Sequence, residues 1–209
     1  MAVAIVLLAA GMSSRMGKDG PHKLLAEFDG VPLLRRVALV AADSDASSVT
    51  VVLGHRHEDM QNVLSGVDVD VVINPDYALG MARSLATGFA TVKARAAEGV
   101  MVMLADMPEI TSNHLNQLIE AFHTSGKTAV VRAISRGKLG NPVILPRSLY
   151  DGVLQLEGDV GARRLIETSG LPVINVDVGP AAQVDVDTPE AVGAAGGVLV
   201  DPPSTVPLR

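Results

Sequence analysis

Nine residues near the start of the chain, Ala2-Val3-Ala4-Ile5-Val6-Leu7-Leu8-Ala9-Ala10, carry no charge and no polar side chain. They stop abruptly at Gly11-Met12-Ser13-Ser14-Arg15-Met16-Gly17-Lys18, a stretch of small, polar and basic residues. A short apolar run closed by glycine predicts a strand buried on both faces, which is the environment of a parallel sheet. The loop then leaves the carboxyl end of that strand, where open α/β sheets bind ligands. Glycine permits close approach of backbone to ligand, and successive N–H groups make an anion nest. With Arg15, Lys18 and Lys23 adding positive charge, the stretch reads as a nucleoside triphosphate site, or else as a tight connection only. It is neither of the two best-known phosphate loops. Ser13 stands where the dinucleotide fingerprint needs its second glycine, and five residues rather than four separate Gly11 from Gly17.

The rest of the chain repeats the alternation. Helical spacing of apolar residues over Val31–Ala46 precedes a buried strand at Ser47–Gly54. A short helix at Glu58–Leu64, a strand at Val69–Ile73, a helix at Gly80–Ala97 and an uncharged strand at Val100–Leu104 follow. Thr111-Ser112 can cap a helix striped with Leu115, Leu118, Ile119 and Phe122. Strand–helix alternation predicts an α/β fold, a doubly wound, mostly parallel sheet with right-handed crossovers. Thr128–Ile134 and Asn141–Leu145, joined across Arg136-Gly137-Lys138-Leu139-Gly140, predict a small antiparallel insertion. Short helices at Ser148–Leu156 and Gly161–Thr168 and a last strand at Val173–Val178 complete the order. Residues 1–192 read as one domain and 193–209, rich in Gly, Ala and Pro, as a loosely ordered tail.

Composition narrows the function. A net charge of −6 argues against general nucleic-acid binding, and the scarcity of aromatics against a stacking platform. Without cysteine there is no thiolate chemistry and no disulfide, which fits a cytoplasmic protein. The apolar start lacks a charged leader region and is too short for a membrane span. No Gly-x-Ser-x-Gly elbow accompanies the serines, and His22, His55, His57, His114 and His123 form no zinc pair; His55 and His57 read as a solvated loop.

Acids supply the remaining chemistry. Asp106 follows an uncharged strand and should share the carboxyl edge with the Gly11 loop; a carboxylate beside polyphosphate points to Mg²⁺. The alternative is that it caps the helix beginning near Thr111. Asp185 and Asp187 alternate along an extended segment and so face one way. Either could complete the metal site, while Asp187 could instead cap the helix entered through Thr188-Pro189-Glu190.

In ordered blocks the chain resembles the molybdenum cofactor nucleotidyltransferases. The opening Leu8-Ala9-Ala10-Gly11-Met12-Ser13-Ser14-Arg15-Met16-Gly17 with Lys23-Leu24-Leu25 is similar to that family's first motif. Asn74–Met81 with Ser84-Leu85 and Gly88, Leu104–Pro108, Gly140-Asn141-Pro142, Gly158–Arg163 and Asp185–Glu190 follow in family order, covering residues 3–192. Ala10 resembles the cytidylyltransferase branch. The resemblance implies transfer of CMP from CTP to the phosphate of molybdopterin, with release of pyrophosphate. It implies that Leu8, Ala9, Ala10 and Gly11 lie against the nucleoside, and that Gly80 and Ser84 help read the base. Arg15 and Lys23 would hold the triphosphate. Asp106 with Asp185 or Asp187 would bind Mg²⁺, and Gly140, Asn141, Pro142, Gly158, Asp159 and Arg163 would shape the acceptor pocket. Lys18 competes with Lys23 for the phosphate role, Lys23 being favoured because Leu24-Leu25 follow it; Asn141 stands where the branch often has histidine. A related nucleotidyltransferase with another base or acceptor, or a non-catalytic cofactor chaperone serving a molybdoenzyme client, are the other readings.

Overall fold

The computed structural model describes residues 2–17, 20–94, 97–158 and 161–200. Its elements alternate as the hydrophobic pattern requires. Strand β1 (Val3–Ala9) leads through a hairpin, β2 (Glu27–Phe28) and β3 (Val31–Pro32), into helix α1 (Leu33–Ala42). Then come β4 (Ser48–Leu53), α2 (His57–Val63), β5 (Asp70–Ile73), α3 (Met81–Ala94) and β6 (Gly99–Leu104). The chain continues through α4 (Ser112–Thr124), β7 (Val130–Ser135), β8 (Lys138–Pro146), α5 (Tyr150–Leu154), α6 (Ala162–Thr168), β9 (Val173–Asp177) and α7 (Pro189–Ala194).

Among the described residues seven strands form one sheet in the order β5-β4-β1-β6-β8-β7-β9. All neighbouring pairs are parallel except those made by β8, which runs against both β6 and β7. The expected doubly wound sheet with its antiparallel insertion is therefore the observed one. Strand β1 lies in its interior, between β4 and β6, and shows why a run without polar residues was needed. Val3, Ile5, Leu7 and Ala9 enter the core layer shared with α1 and α4, whereas Ala4 and Val6 enter the layer shared with α3 and α5. Successive side chains of a strand point to opposite faces, so both registers must be apolar when helices cover both. Winding proceeds outward from β1 to β4 and β5, then returns across β1 to β6. The point of return opens a crevice at the carboxyl ends of β1 and β6.

Three local expectations are corrected. Val31 and Pro32 belong to a two-residue strand rather than to the helix, because the turn Asp29-Gly30, with φ of 53° and 75°, reverses the chain there. The β7–β8 turn is only Arg136-Gly137, both at positive φ, so Lys138, Leu139 and Gly140, expected in the turn, join Asn141 inside β8. Opposite them the register shifts: Arg132 pairs with Val143 and Ile134 with Leu139, leaving Gly140-Asn141-Pro142, with its cis Asn141–Pro142 bond, as a bulge. Finally, residues 193–200 are tied to the body. Val198 and Glu27 exchange both backbone hydrogen bonds at 2.8 Å, and Val192 is fully buried. The remainder of the expected tail, 201–209, lies outside the described residues. Among the described residues no helix is long and apolar enough to cross a membrane.

Candidate active site

The crevice holds a cavity of about 450 Å³. Leu8, Ala9, Ala10 and Gly11, leaving β1, form one wall; Gly80 and Ser84, where α3 begins, form another. Lys23, Asp106, Asp185 and Asp187 contribute the charged end. These ten expected residues come from five separate parts of the chain. Gly11 has open space where a Cβ would stand, so its backbone is accessible from the cavity.

Lys23 organises the charges. It lies in a single 3-10 turn, Lys23–Leu25, and its Nζ donates to Asp106 Oδ2 at 2.5 Å and to Asp187 Oδ1. Asp187 also accepts from Arg15, whose side chain is mostly exposed beside the cavity. Burial works against the charge on Lys23, but the two carboxylates prevail and raise its pKa above the ordinary value. Burial likewise opposes ionisation of Asp187, yet Lys23 and Arg15 hold it below the usual carboxylate range. Asp185 differs: burial, then the charges of Asp106 and Asp187, push its pKa up. Lys18, the competing lysine, lies outside the described residues.

Neither acid is used as a helix cap. Thr111 caps α4 in a reciprocal box with His114, and Thr188 Oγ1 accepts from Ala191 N at the start of α7. That leaves the Asp106 and Asp187 carboxylates to the cavity. The Asp106 backbone is pinned from both sides: the adjacent Ala105 N–H donates to Leu8 O, and Asp106 O accepts from Val186 N. These bonds stitch the loops after β1 and β6 to the Asp185–Asp187 segment. Asp106 Oδ1 is buried without a hydrogen-bond partner among the described residues. A buried unpaired carboxylate oxygen is costly and marks a place for a cation or donor. No group of three or more His, Asp or Glu side chains among the described residues is gathered closely enough to hold a metal ion unaided.

Several contributors were given no individual role by the sequence. His22 is 3% exposed; its Nε2 lies 3.1 Å from Gly11 O and 3.2 Å from Ser13 Oγ, while Nδ1 accepts from Leu24 N. It thus ties the glycine loop to the lysine turn. Burial, against the pull of the Gly11 carbonyl, lowers its pKa to about 4, with His55 and Arg56 adding repulsion. His55 is not in a solvated loop as expected: its ring stacks on His22 at 5.7 Å and lies 6.0 Å from Tyr77, which lines the cavity. Gly54 allows this column, since a Cβ there would meet Tyr77 Cβ at 2.6 Å and Ala10 O at 2.8 Å. Asn74, fully buried, donates to Ser84 Oγ at 3.0 Å and accepts from Asp76 N, orienting the serine.

The expected acceptor residues divide. Gly140, Asn141 and Arg163 line a second cavity of about 250 Å³, which shares Met81 and Leu104 with the first. Gly140 is also required for packing, because a Cβ would stand 2.2 Å from Ala182 O. Pro142 and Gly158 do not line it. Pro142 follows the cis bond in β8, and Gly158, at φ 65°, uses its carbonyl to accept from Ala82 N at 3.1 Å. Asp159 lies outside the described residues.

Comparison with known proteins agrees with this fold. Purine catabolism protein PucB of Bacillus subtilis is 27% identical over 198 residues, covering 88% of this chain and 91% of that protein. Bifunctional protein GlmU of Leifsonia xyli is 30% identical over 131 residues, 62% of this chain; the match spans only 26% of that longer protein. The crystal structure of Rv0371c from Mycobacterium tuberculosis in complex with manganese superimposes with a TM-score of 0.78, at 23% identity, over 94% of this chain and 98% of that one. The profile of the MobA-like NTP transferase domain matches residues 5–173. A doubly wound sheet whose switch-point crevice gathers a glycine loop, a lysine and three acids thus belongs, in this chain, to the MobA-like NTP transferase domain family.

Proposed function

We propose that the protein transfers CMP from CTP to the phosphate of molybdopterin and releases pyrophosphate. One observation carries the reading: Lys23, held between Asp106 and Asp187 at the carboxyl ends of β1 and β6, faces a cavity walled by Ala9, Ala10 and Gly11. The nucleoside lies against Ala9, Ala10 and Gly11, and Ser84, oriented by Asn74, donates to or accepts from the base. The choice of cytosine rests on Ala10, as the family resemblance implies.

In the reaction an oxygen of the acceptor phosphate attacks the α-phosphorus. The bond from that phosphorus to the oxygen bridging to the β-phosphate breaks, and pyrophosphate leaves with the electron pair. The nucleophile is already an anion, so no general base is required, in keeping with a cavity that offers a lysine and carboxylates. Lys23 and Arg15, now paired with Asp187, are poised to exchange a carboxylate for triphosphate oxygens. Positioning and charge neutralisation supply most of the catalysis of such transfers.

Asp106 and Asp185 would hold Mg²⁺. A divalent cation would partner the buried Oδ1 of Asp106 and offset the burial, and then the charges of Asp106 and Asp187, that raise Asp185. Two carboxylates with phosphate oxygens and water are its ordinary environment, and the manganese complex of Rv0371c supports divalent-metal use. When bound, the ion neutralises phosphate charge. Asp187 is assigned to Lys23 and Arg15 instead.

A panel of nucleoside triphosphates with Mg²⁺ and molybdopterin, followed by pyrophosphate release, tests the proposal. CTP-selective release is expected, falling about a hundred- to a thousandfold in Asp106→Ala. Preference for GTP would overturn the base assignment. Nucleotide binding without turnover would favour a cofactor chaperone that serves a molybdoenzyme client.

A further inference from the structure

The second cavity contains a cation that none of the chemistry above uses. Arg132 lies in the middle of β7, in the run Val130-Val131-Arg132-Ala133-Ile134, and is only 9% exposed. Its neighbours in the strand register are Val143 of β8 and Asn175 of β9. Alternation places it on the face of Val130, whose layer is packed by α5 and α6. Its side chain lines the second cavity together with Asn141 and Arg163. Among the described residues it makes no hydrogen bond and no ion pair. The charged groups that reach it are Arg163, which repels it, and Glu167, which attracts it. Glu167 is itself engaged by Arg163 at 2.8 Å. Burial, then Arg163, lowers the Arg132 pKa below the ordinary guanidinium value.

A buried guanidinium is ordinarily paired, because removing it from water without an acceptor is expensive. Its five N–H donors in a planar fork match the oxygens of a phosphate. Here the fork opens into a cavity with a second arginine and the Asn141 amide, and that cavity shares two walls with the nucleotide cavity. We propose that Arg132, with Arg163, binds the phosphomonoester of the acceptor and so selects phosphorylated acceptors over neutral ones. The assignment rests on the nucleotidyl-transfer reading of the first cavity, and Arg132 acts as a specificity-determining residue within it. Family blocks did not mark it; a charge without a hydrogen bond or ion pair among the described residues, amid the apolar run Val130-Val131 and Ala133-Ile134, is the signal.

The test is equilibrium dialysis of radiolabelled inorganic phosphate against the full chain, with the triphosphate loop filled by excess α,β-methylene CTP. Wild-type protein should bind phosphate; Arg132→Met should weaken it about tenfold or more and Arg132→Lys should retain part of the affinity. Binding of the CTP analogue is measured on each variant and should not change, which also shows that each is folded. Phosphate binding that survives Arg132→Met, or that disappears from wild type once the analogue is present, overturns the proposal, the latter assigning the anion to the triphosphate loop. Failure of the analogue to bind would overturn the nucleotide reading instead, and loss of phosphate binding in Arg132→Met would still stand. Should Arg132→Met not fold, the arginine Nε–H resonance that is missing from Arg132→Lys gives the answer: in wild type it must shift on addition of phosphate, and a static signal refutes the site.

Discussion

His22 illustrates how much one side chain can control at the residue scale. It is neutral in the fold, joins Gly11 to Leu24 through its two ring nitrogens, and has a pKa lowered to about 4. In the unfolded chain it titrates near 6.5. Between these values the unfolded state binds more protons, so stability must rise with pH there. The contribution is complete well above pH 6.5 and is lost as pH falls toward 4, amounting to roughly 3 kcal/mol. Denaturant titrations from pH 4 to 7 should show that slope in wild type and a flatter one in His22→Gln. The same variant should bind CTP more weakly, measured by calorimetry at pH 7.5, because the glycine loop loses its tie to the lysine turn. Lys23 is the second decisive residue. Removing its charge in Lys23→Met leaves two acids facing each other across the cavity and should reduce turnover about a hundredfold or more in the pyrophosphate assay.

At the scale of elements, the central question is how helix and strand come close enough to form the crevice. Helix α3 lies directly on β1 through Gly88, where a Cβ would stand 2.4 Å from Val6 Cγ1 and 3.0 Å from Val52 Cγ2. Both neighbours are β-branched and stiff at χ1, so neither can yield readily. Gly88→Ala should therefore cost about 1–3 kcal/mol through overpacking, lowering the melting temperature by several degrees in a calorimetric scan. Because α3 begins with Met81 and carries Ser84, its retreat from β1 should also weaken nucleotide binding. The helix existed in the hydrophobic pattern. The need for its glycine did not, since that follows from which strand atoms lie beneath it.

For the whole molecule, the segment after α7 closes the fold over the first hairpin. Val198 pairs with Glu27 of β2, and Gly197 approaches Phe28 so closely that a Cβ would lie 2.5 Å from its ring. Ending the chain at Ala195 would remove this cover and expose the half of the core containing Phe28, Leu33 and Val192. A chain so shortened should melt several degrees lower than the full-length chain. This segment has no periodicity and reads from composition as a tail. Its order arises from contacts with residues some 170 positions earlier, which no local pattern encodes.

What the sequence by itself determined is the part governed by short-range regularity. Runs such as Val3–Ala9 and Gly99–Leu104 can be accommodated only as strands covered on both faces, and the alternation with amphipathic helices then dictates a doubly wound sheet. Topology alone places the loops after β1 and β6 at one edge, so Gly11, Lys23 and Asp106 were legible as neighbours. Tertiary structure decided the pairings. Only there does Asp187 belong to Lys23 and Arg15 while Thr188 takes the cap, and only there does the His22–His55–Tyr77 column support the loop. The division has a physical cause. Backbone periodicity is set by neighbours a few residues away, whereas the desolvation and pairing of a charge depend on groups brought together from anywhere in the chain.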